Sequence, residues 1–132
     1  MQLLAKFHGL NVSQSTTSDT YVQFNIPDEQ LSFTLDEDSP VFFEYNSEVE
    51  IPPGEEAYSR FVVDNIPQGN SIGNTTPDNP NKKVSLSHNL VFKMDLTAGN
   101  HTVHVEHRTV NRMDGGQDSI KWRRRRILVF KA

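Results

Sequence analysis

The sequence predicts an all-β domain, an antiparallel sandwich or barrel of about seven or eight short strands. Three observations predict it. No window keeps a helical hydrophobic period, whereas apolar and polar residues alternate in many short runs. Clusters of Gly, Pro, Asn, Asp and Ser separate those runs at close spacing. Apolar content is lean at 35%, yet eight Phe suit the thin core between two sheets. At 132 residues, with no internal repeat and no domain linker, a single domain spanning 1–132 is expected.

Along the chain, Leu3, Ala5 and Phe7 alternate with Leu4, Lys6 and His8 as a first strand, and 11–18 reads as a Ser/Thr/Asn linker. Tyr21 to Ile26 alternates again and ends at Pro27, and Leu31, Phe33 and Leu35 form a clean period-two run. Asp36 to Pro40 reads as a turn before a longer strand from Val41 to Ile51. Pro52-Pro53-Gly54-Glu55-Glu56 breaks the chain, and a strand follows at Ser59 to Asn65. The stretch Pro67 to Lys83, rich in Gly, Asn, Pro and Thr, reads as a long functional loop. Strands are then expected at Val84 to Leu96 and His101 to Thr109. After a second Gly-bearing loop, Asn111 to Ser119, the last strand is Ile120 to Phe130.

Composition excludes several classes. The chain has no Cys, which removes disulfides, thiol catalysis and cysteine-ligated zinc. No run of apolar residues is long enough to span a membrane, and the N-terminal residues lack the pattern of a signal peptide. The net charge of -4 hides an asymmetry: Phe7 to Ser59 carries eleven acids and no Lys or Arg, while His107 to Ala132 carries eight bases against two acids. Two readings follow. Strands from the two halves lie side by side and neutralise each other, or opposite-sign surfaces meet between copies of the chain. A nucleic-acid partner is disfavoured, because the acidic half repels phosphate.

Two clusters bear on chemistry. His101, His104 and Glu106, with His107 and His88, are the candidates for a metal. Strand parity turns His101, Val103, Val105 and His107 to one face and His104 and Glu106 to the other. That leaves two outward ligands, too few to complete a site, so a solvated or inter-subunit strand face is expected and no cofactor. In Arg123 to Arg126, adjacent arginines alternate faces, so Arg124 and Arg126 should share a face with Trp122. Stacking on that indole and pairing with the acidic half is the simplest account, with interface and polyanion roles as rivals. No strained Gly-x-Ser-x-Gly elbow is present and no base is evident beside a serine, so catalysis is not expected.

Several segments in order carry a resemblance. They are Ser39-Pro40-Val41-Phe42-Phe43-Glu44-Tyr45, Arg60-Phe61-Val62-Val63-Asp64-Asn65, Leu96-Thr97-Ala98-Gly99-Asn100-His101-Thr102-Val103-His104-Val105 and Arg125-Arg126-Ile127-Leu128-Val129-Phe130. The ordering resembles jelly-roll domains of the tumour-necrosis-factor/complement-C1q-like type, as found in bacteriophage virion proteins, over Ser39 to Phe130. The resemblance implies a jelly-roll sandwich that trimerises and displays loops to a receptor or capsid lattice. Because the chain starts at a Met and is nearly all domain, a stand-alone capsid decoration or head-fibre protein, located in the virion, is favoured over a fibre tip. Phe42, Tyr45, Phe61, Val103, Val105, Trp122, Arg124, Arg126, Leu128 and Phe130 are then the candidates for core or inter-subunit packing. Asn70, Asn74, Asp78, Asn79, Asp114, Gly115 and Gly116 are the candidates for display. Expected partners are other copies of the chain, capsid proteins, and a host receptor or glycan. A rival reading is a carbohydrate-binding or lectin-like module, for which neither long loop supplies an aromatic and only Trp122 and the three tyrosines remain. A third is a metal-dependent jelly-roll enzyme.

Overall fold

Alternation in the sequence becomes alternation in burial. In the strand Ser39–Ile51 every second residue is buried, from Ser39 through Phe43 and Tyr45 to Ile51. In the strand Leu31–Leu35 the three apolar residues are buried, and Ser32 and Thr34 are exposed. This computed structural model describes residues 1–9, 13–24, 29–75, 83–111 and 120–132, with the side chains of 69–75 and 111 outside that description.

Among the described residues nine strands are present: β1 (Gln2–Gly9), β2 (Gln14–Thr16), β3 (Leu31–Leu35), β4 (Ser39–Ile51), β5 (Glu55–Val63), β6 (Ile66–Thr75), β7 (Val84–Leu96), β8 (Gly99–Asn111) and β9 (Ile120–Lys131). They form two antiparallel sheets packed as a jelly-roll-type sandwich, and no helix occurs among the described residues. The five-stranded sheet has the order β1-β9-β4-β7, with β2 also on β9. The four-stranded sheet has the order β3-β8-β5-β6. Chain-distant β4 and β9 pair in the middle of one sheet, and β5 and β8 in the middle of the other.

Three expectations are corrected here. The linker at 11–18 contains β2, which pairs with β9. The strand expected at Tyr21 to Ile26 is reduced to one bridge, Val22 with His107, and 25–28 lie outside the described residues. The long loop at Pro67 to Lys83 contains most of β6. Asp64 and Asn65, with φ of 50° and 63°, make the tight turn that folds β6 back onto β5. Two consecutive left-handed residues suit a two-residue hairpin, where Asp and Asn tolerate that conformation. Gly99, at φ 122°, opens β8 in a conformation side chains rarely adopt.

The core falls into two apolar clusters. The larger contains Phe33, Val41, Phe43, Phe61, Val103, Val105, Ile127 and Val129. The smaller contains Phe24, Val49, Ile51, Ala57, Ile120 and Trp122. Phe43 and Phe61 pack across the sheets with ring centroids 5.7 Å apart. Each such side chain contributes about 1.5–3 kcal/mol by leaving water. Phe42, Leu128 and Phe130 are not core residues. The inward parity set by Phe43, Tyr45, Ile127 and Val129 turns them to the outer face of the five-stranded sheet. There they join Leu3 and Val91 in an apolar strip, with Phe130 paired between Leu3 and Phe42.

Candidate functional site

Between the two apolar clusters runs a polar seam, one residue deep. His88 on β7 pairs with Ser47 on β4, and Ser59 on β5 pairs with His107 on β8. Arg125 of β9 and Glu29 complete it, and both are fully buried as an ion pair. The seam depends on a bulge. The β4–β9 register slips between Asn46 and Glu48, so Ser47 faces both Arg124 and Arg125, and the Ser47 hydroxyl donates to the Arg123 carbonyl at 2.9 Å. Arg124 takes a left-handed φ of 50°. The extra residue shifts the parity of β9, so Trp122 and Arg125 point inward while Arg124 points out.

Ser59 sits between two imidazoles, 2.6 Å from His88 Nε2 and 2.8 Å from His107 Nδ1, its hydroxyl donating to one ring and accepting from the other. Burial holds the His88 pKa down at about 4. Burial first, then the charges of Arg125 and His88, holds His107 well below its ordinary value. Burial pushes the Glu29 carboxyl up, against the attraction and hydrogen bond of Arg125. A serine flanked by bases has the composition of a nucleophilic site. Ser59, His88 and His107 are each 0% exposed, however, so a substrate has no route to this hydroxyl in the conformation described. The seam is an internal structural layer, and the apolar clusters on either side offset its desolvation cost.

The open polar surface lies on the outer face of the four-stranded sheet. Along β8, Asn100, Thr102, Glu106 and Arg108 project outward to solvent, His104 on the same side is buried, and Val103, Val105 and His107 project in. At the strand rise of about 3.4 Å per residue this stripe runs roughly 27 Å. Beside it, Tyr58 of β5 is registered with Arg108 and Arg60 with Glu106. Arg60 donates from Nε and Nη2 to Glu106 Oε1 at 3.0 and 2.8 Å. The Val22–His107 bridge brings Tyr21 alongside. The Arg60 guanidinium lies 3.9 Å over the Tyr21 ring. That of Arg108 lies 4.6 Å from the Tyr58 ring and 5.2 Å from the Tyr21 ring. The Tyr58 hydroxyl donates to Glu56 at 2.8 Å, and this bond is the chief cause that raises the Tyr58 pKa.

At the Asn100 end the stripe opens into a groove of about 570 Å³, lined by Ser32, Thr34, Asp64, Asn65, Asn100 and Thr102. Registration of Ser32 with Thr102 and of Thr34 with Asn100 builds one wall, and the Thr34 hydroxyl donates to the Asn100 carboxamide at 2.7 Å. The Asp64–Asn65 turn builds the other. Asp64 accepts from the Thr102 amide at 2.9 Å and contacts His101 Nδ1 at 2.7 Å, while His101 Nε2 reaches the Thr97 carbonyl. Burial opposes charge on His101, but the Asp64 hydrogen bond, the Thr97 carbonyl and the Asp64 charge outweigh it and raise its pKa.

The sequence-predicted candidates distribute as follows. Tyr45, Phe61, Val103, Val105 and Trp122 are fully buried. His101 faces inward, away from His104 and Glu106, which lie 3.8 Å apart. No group of three metal-ligating side chains forms among the described residues. His104 is 7% exposed, so it does not stand on a solvated face, and burial lowers its pKa against the pull of Glu106. Arg124 and Arg126 do not share the face of Trp122. The arginine that does is Arg125, and it lies over Phe24 and Phe7 at 5.0 and 5.6 Å instead of over the indole. The pairing of acidic and basic halves occurs within the chain, through Arg123 with Glu50, Arg124 with Glu48 at 3.3 Å, and Lys131 with Glu37 at 3.6 Å. Asn70 and Asn74 sit on β6 and not on a loop, while Asp78, Asn79, Asp114, Gly115 and Gly116 lie outside the described residues. Sequence reasoning missed Tyr21, Tyr58, Arg60 and Arg108. The available signal was parity on β5 and β8, which puts Tyr58, Arg60, Glu106 and Arg108 opposite the core residues.

No protein-family model and no curated protein matches the chain. Among solved structures it is similar to a carbohydrate-binding module, CBM36, in complex with calcium and xylotriose. Identity is 8% and the TM-score 0.41, covering 98% of this chain and 100% of that one. It is also similar to an uncharacterised protein from Listeria monocytogenes in complex with glucose, magnesium and calcium. There identity is 14% and the TM-score 0.34, covering 97% of this chain and 11% of that one. A third is a cycloisomaltooligosaccharide glucanotransferase from Paenibacillus sp. complexed with cycloisomaltoheptaose. Here identity is 17% and the TM-score 0.33, covering 96% of this chain and 16% of that one. Likeness at this level assigns no ligand to the chain. No family model supports the tumour-necrosis-factor/C1q-type resemblance.

Proposed function

We propose that the chain is a non-catalytic binding module that holds a glycan along the outer face of its four-stranded sheet. The carrying observation is the continuity of groove and stripe. Hydroxyls, carboxamides and a carboxylate around the groove lead into two tyrosines interleaved with two guanidiniums. Sugar rings combine hydroxyls that need planar polar partners with C–H faces that pack on aromatic rings, and this surface offers both. The tyrosines answer the weakness of this reading in the sequence, where the long loops carry no aromatic.

A reading as a structural protein that attaches by protein contacts rests on the opposite sheet. Leu3 and Val91 are 45% and 67% exposed there, beside Phe42, Leu128 and Phe130. One experiment separates the two: electrophoresis through gels containing soluble polysaccharides, with solution mass measured on the same sample. A glycan module is retarded by at least one polysaccharide, and Tyr58→Ala or Tyr21→Ala weakens retention about tenfold, the scale of one lost aromatic contact. Free migration in every gel by a self-associated chain would move the conclusion to the structural reading.

A further inference from the structure

Six arginines lie among the described residues, and four of them hold a glutamate: Arg60, Arg123, Arg124 and Arg125. Arg108 and Arg126 hold none. Of these two, only Arg108 stands on the proposed glycan face. Its guanidinium is fixed by aromatic rings instead of a carboxylate, over Tyr58 at 4.6 Å and Tyr21 at 5.2 Å. Its Nε donor is shut from solvent and bonded to no acceptor. The neighbouring cation is already spent, because Arg60 directs two donors to one oxygen of Glu106. Glu56, the carboxylate next to Tyr58, accepts the Tyr58 hydroxyl.

A guanidinium stacked on rings keeps its N–H groups in its own plane, pre-ordered and still charged. Such a group recognises a planar or tetrahedral anion and gains little from a neutral hydroxyl. We infer that the ligand is an acidic glycan, and that Arg108 is the residue that reads its anionic group, a uronate carboxylate or a sulfate ester. This rests on the glycan reading above.

Two matched pairs test it: polygalacturonate beside its carboxyl-reduced neutral form, and dextran sulfate beside dextran. The acidic member of one pair should be held about tenfold more tightly, the scale of one charge-assisted hydrogen bond. Which pair responds identifies carboxylate or sulfate. Arg108→Gln should collapse that ratio toward one. Arg126→Gln, the same charge change on the opposite sheet, should leave it intact and so exclude a mere effect of net charge. If Arg108→Gln does not fold, Arg108→Lys keeps the charge and loses the fork, and the ratio should fall partway. Equal retention of acidic and neutral members overturns the inference and leaves the glycan reading standing. So does a preference that survives both Arg108 variants. Retention of no member of either pair overturns both.

Discussion

Arg125 and Arg108 both lie over aromatic rings on a central strand, and they meet opposite fates. Arg125 is sealed with Glu29 at 0% exposure, in a seam where two histidines flank a serine. Arg108 stands half-buried beside two tyrosines, on a surface whose groove opens to solvent. The residue types of seam and stripe are much the same: Arg, Glu, His, Ser or Thr, and Tyr. What separates them is the dielectric around them. In the seam, each charge must be matched internally or it costs several kcal/mol, so Arg125 and Glu29 are committed to each other. On the stripe, water screens the charges and a ligand displaces that water, so an unpaired cation is tolerable there. A polar cluster therefore announces a binding surface only after its access has been established.

The largest effect that would break this contrast is in the seam. Glu29→Gln leaves Arg125 charged, buried and unmatched, and is expected to lower stability by about 3–5 kcal/mol in urea unfolding. A loss below about 1 kcal/mol would show that water reaches the seam and that the two regions do not differ as described.

Acid sharpens the same comparison. The folded chain keeps His88 neutral down to about pH 4, whereas the unfolded chain protonates it near 6.5. Below pH 6.5 the unfolded state thus binds more protons, and stability falls as pH falls, by on the order of 3 kcal/mol for His88 by pH 4. His107 and His104, both lowered, add to the loss. His101 and Glu29 are raised, so each gains protons first in the folded state and opposes it. The urea midpoint should drop steadily from pH 7 to pH 4.5; a flat or rising midpoint would mean the histidines are not sealed.

The smallest effect belongs to the stripe. Glu106→Gln removes an ion pair whose side chains are 20% and 27% exposed, and discounted for screening it should cost under about 1 kcal/mol. The same substitution frees Arg60 and should change glycan retention more than it changes stability. A thermal shift as large as that of Glu29→Gln would place the pair in the structural class.

Alternation in the sequence settled the inward face of β3 and β8, and not that of β4 and β9, where Phe42, Leu128 and Phe130 stood as packing candidates beside Tyr45 yet turn outward. Leu31, Phe33 and Leu35, or Val103, Val105 and His107, share a face because side-chain direction repeats every two residues, a local property that needs no partner. The charge asymmetry equally pointed to acidic and basic halves that meet. Tertiary structure alone decided the rest. β6 is polar and Gly-bearing and reads as a loop; it becomes a strand because the Asp64–Asn65 turn delivers it to the edge of β5. Arg125 points inward in place of Arg124 because two residues of β9 oppose Ser47, and a bulge resets parity without any mark in the local sequence. Ser59 meets His88 and His107 from 29 and 48 residues away, and Glu29 meets Arg125 from 96. Those meetings depend on which strands lie opposite across the sandwich, and strand order is a property of the whole chain.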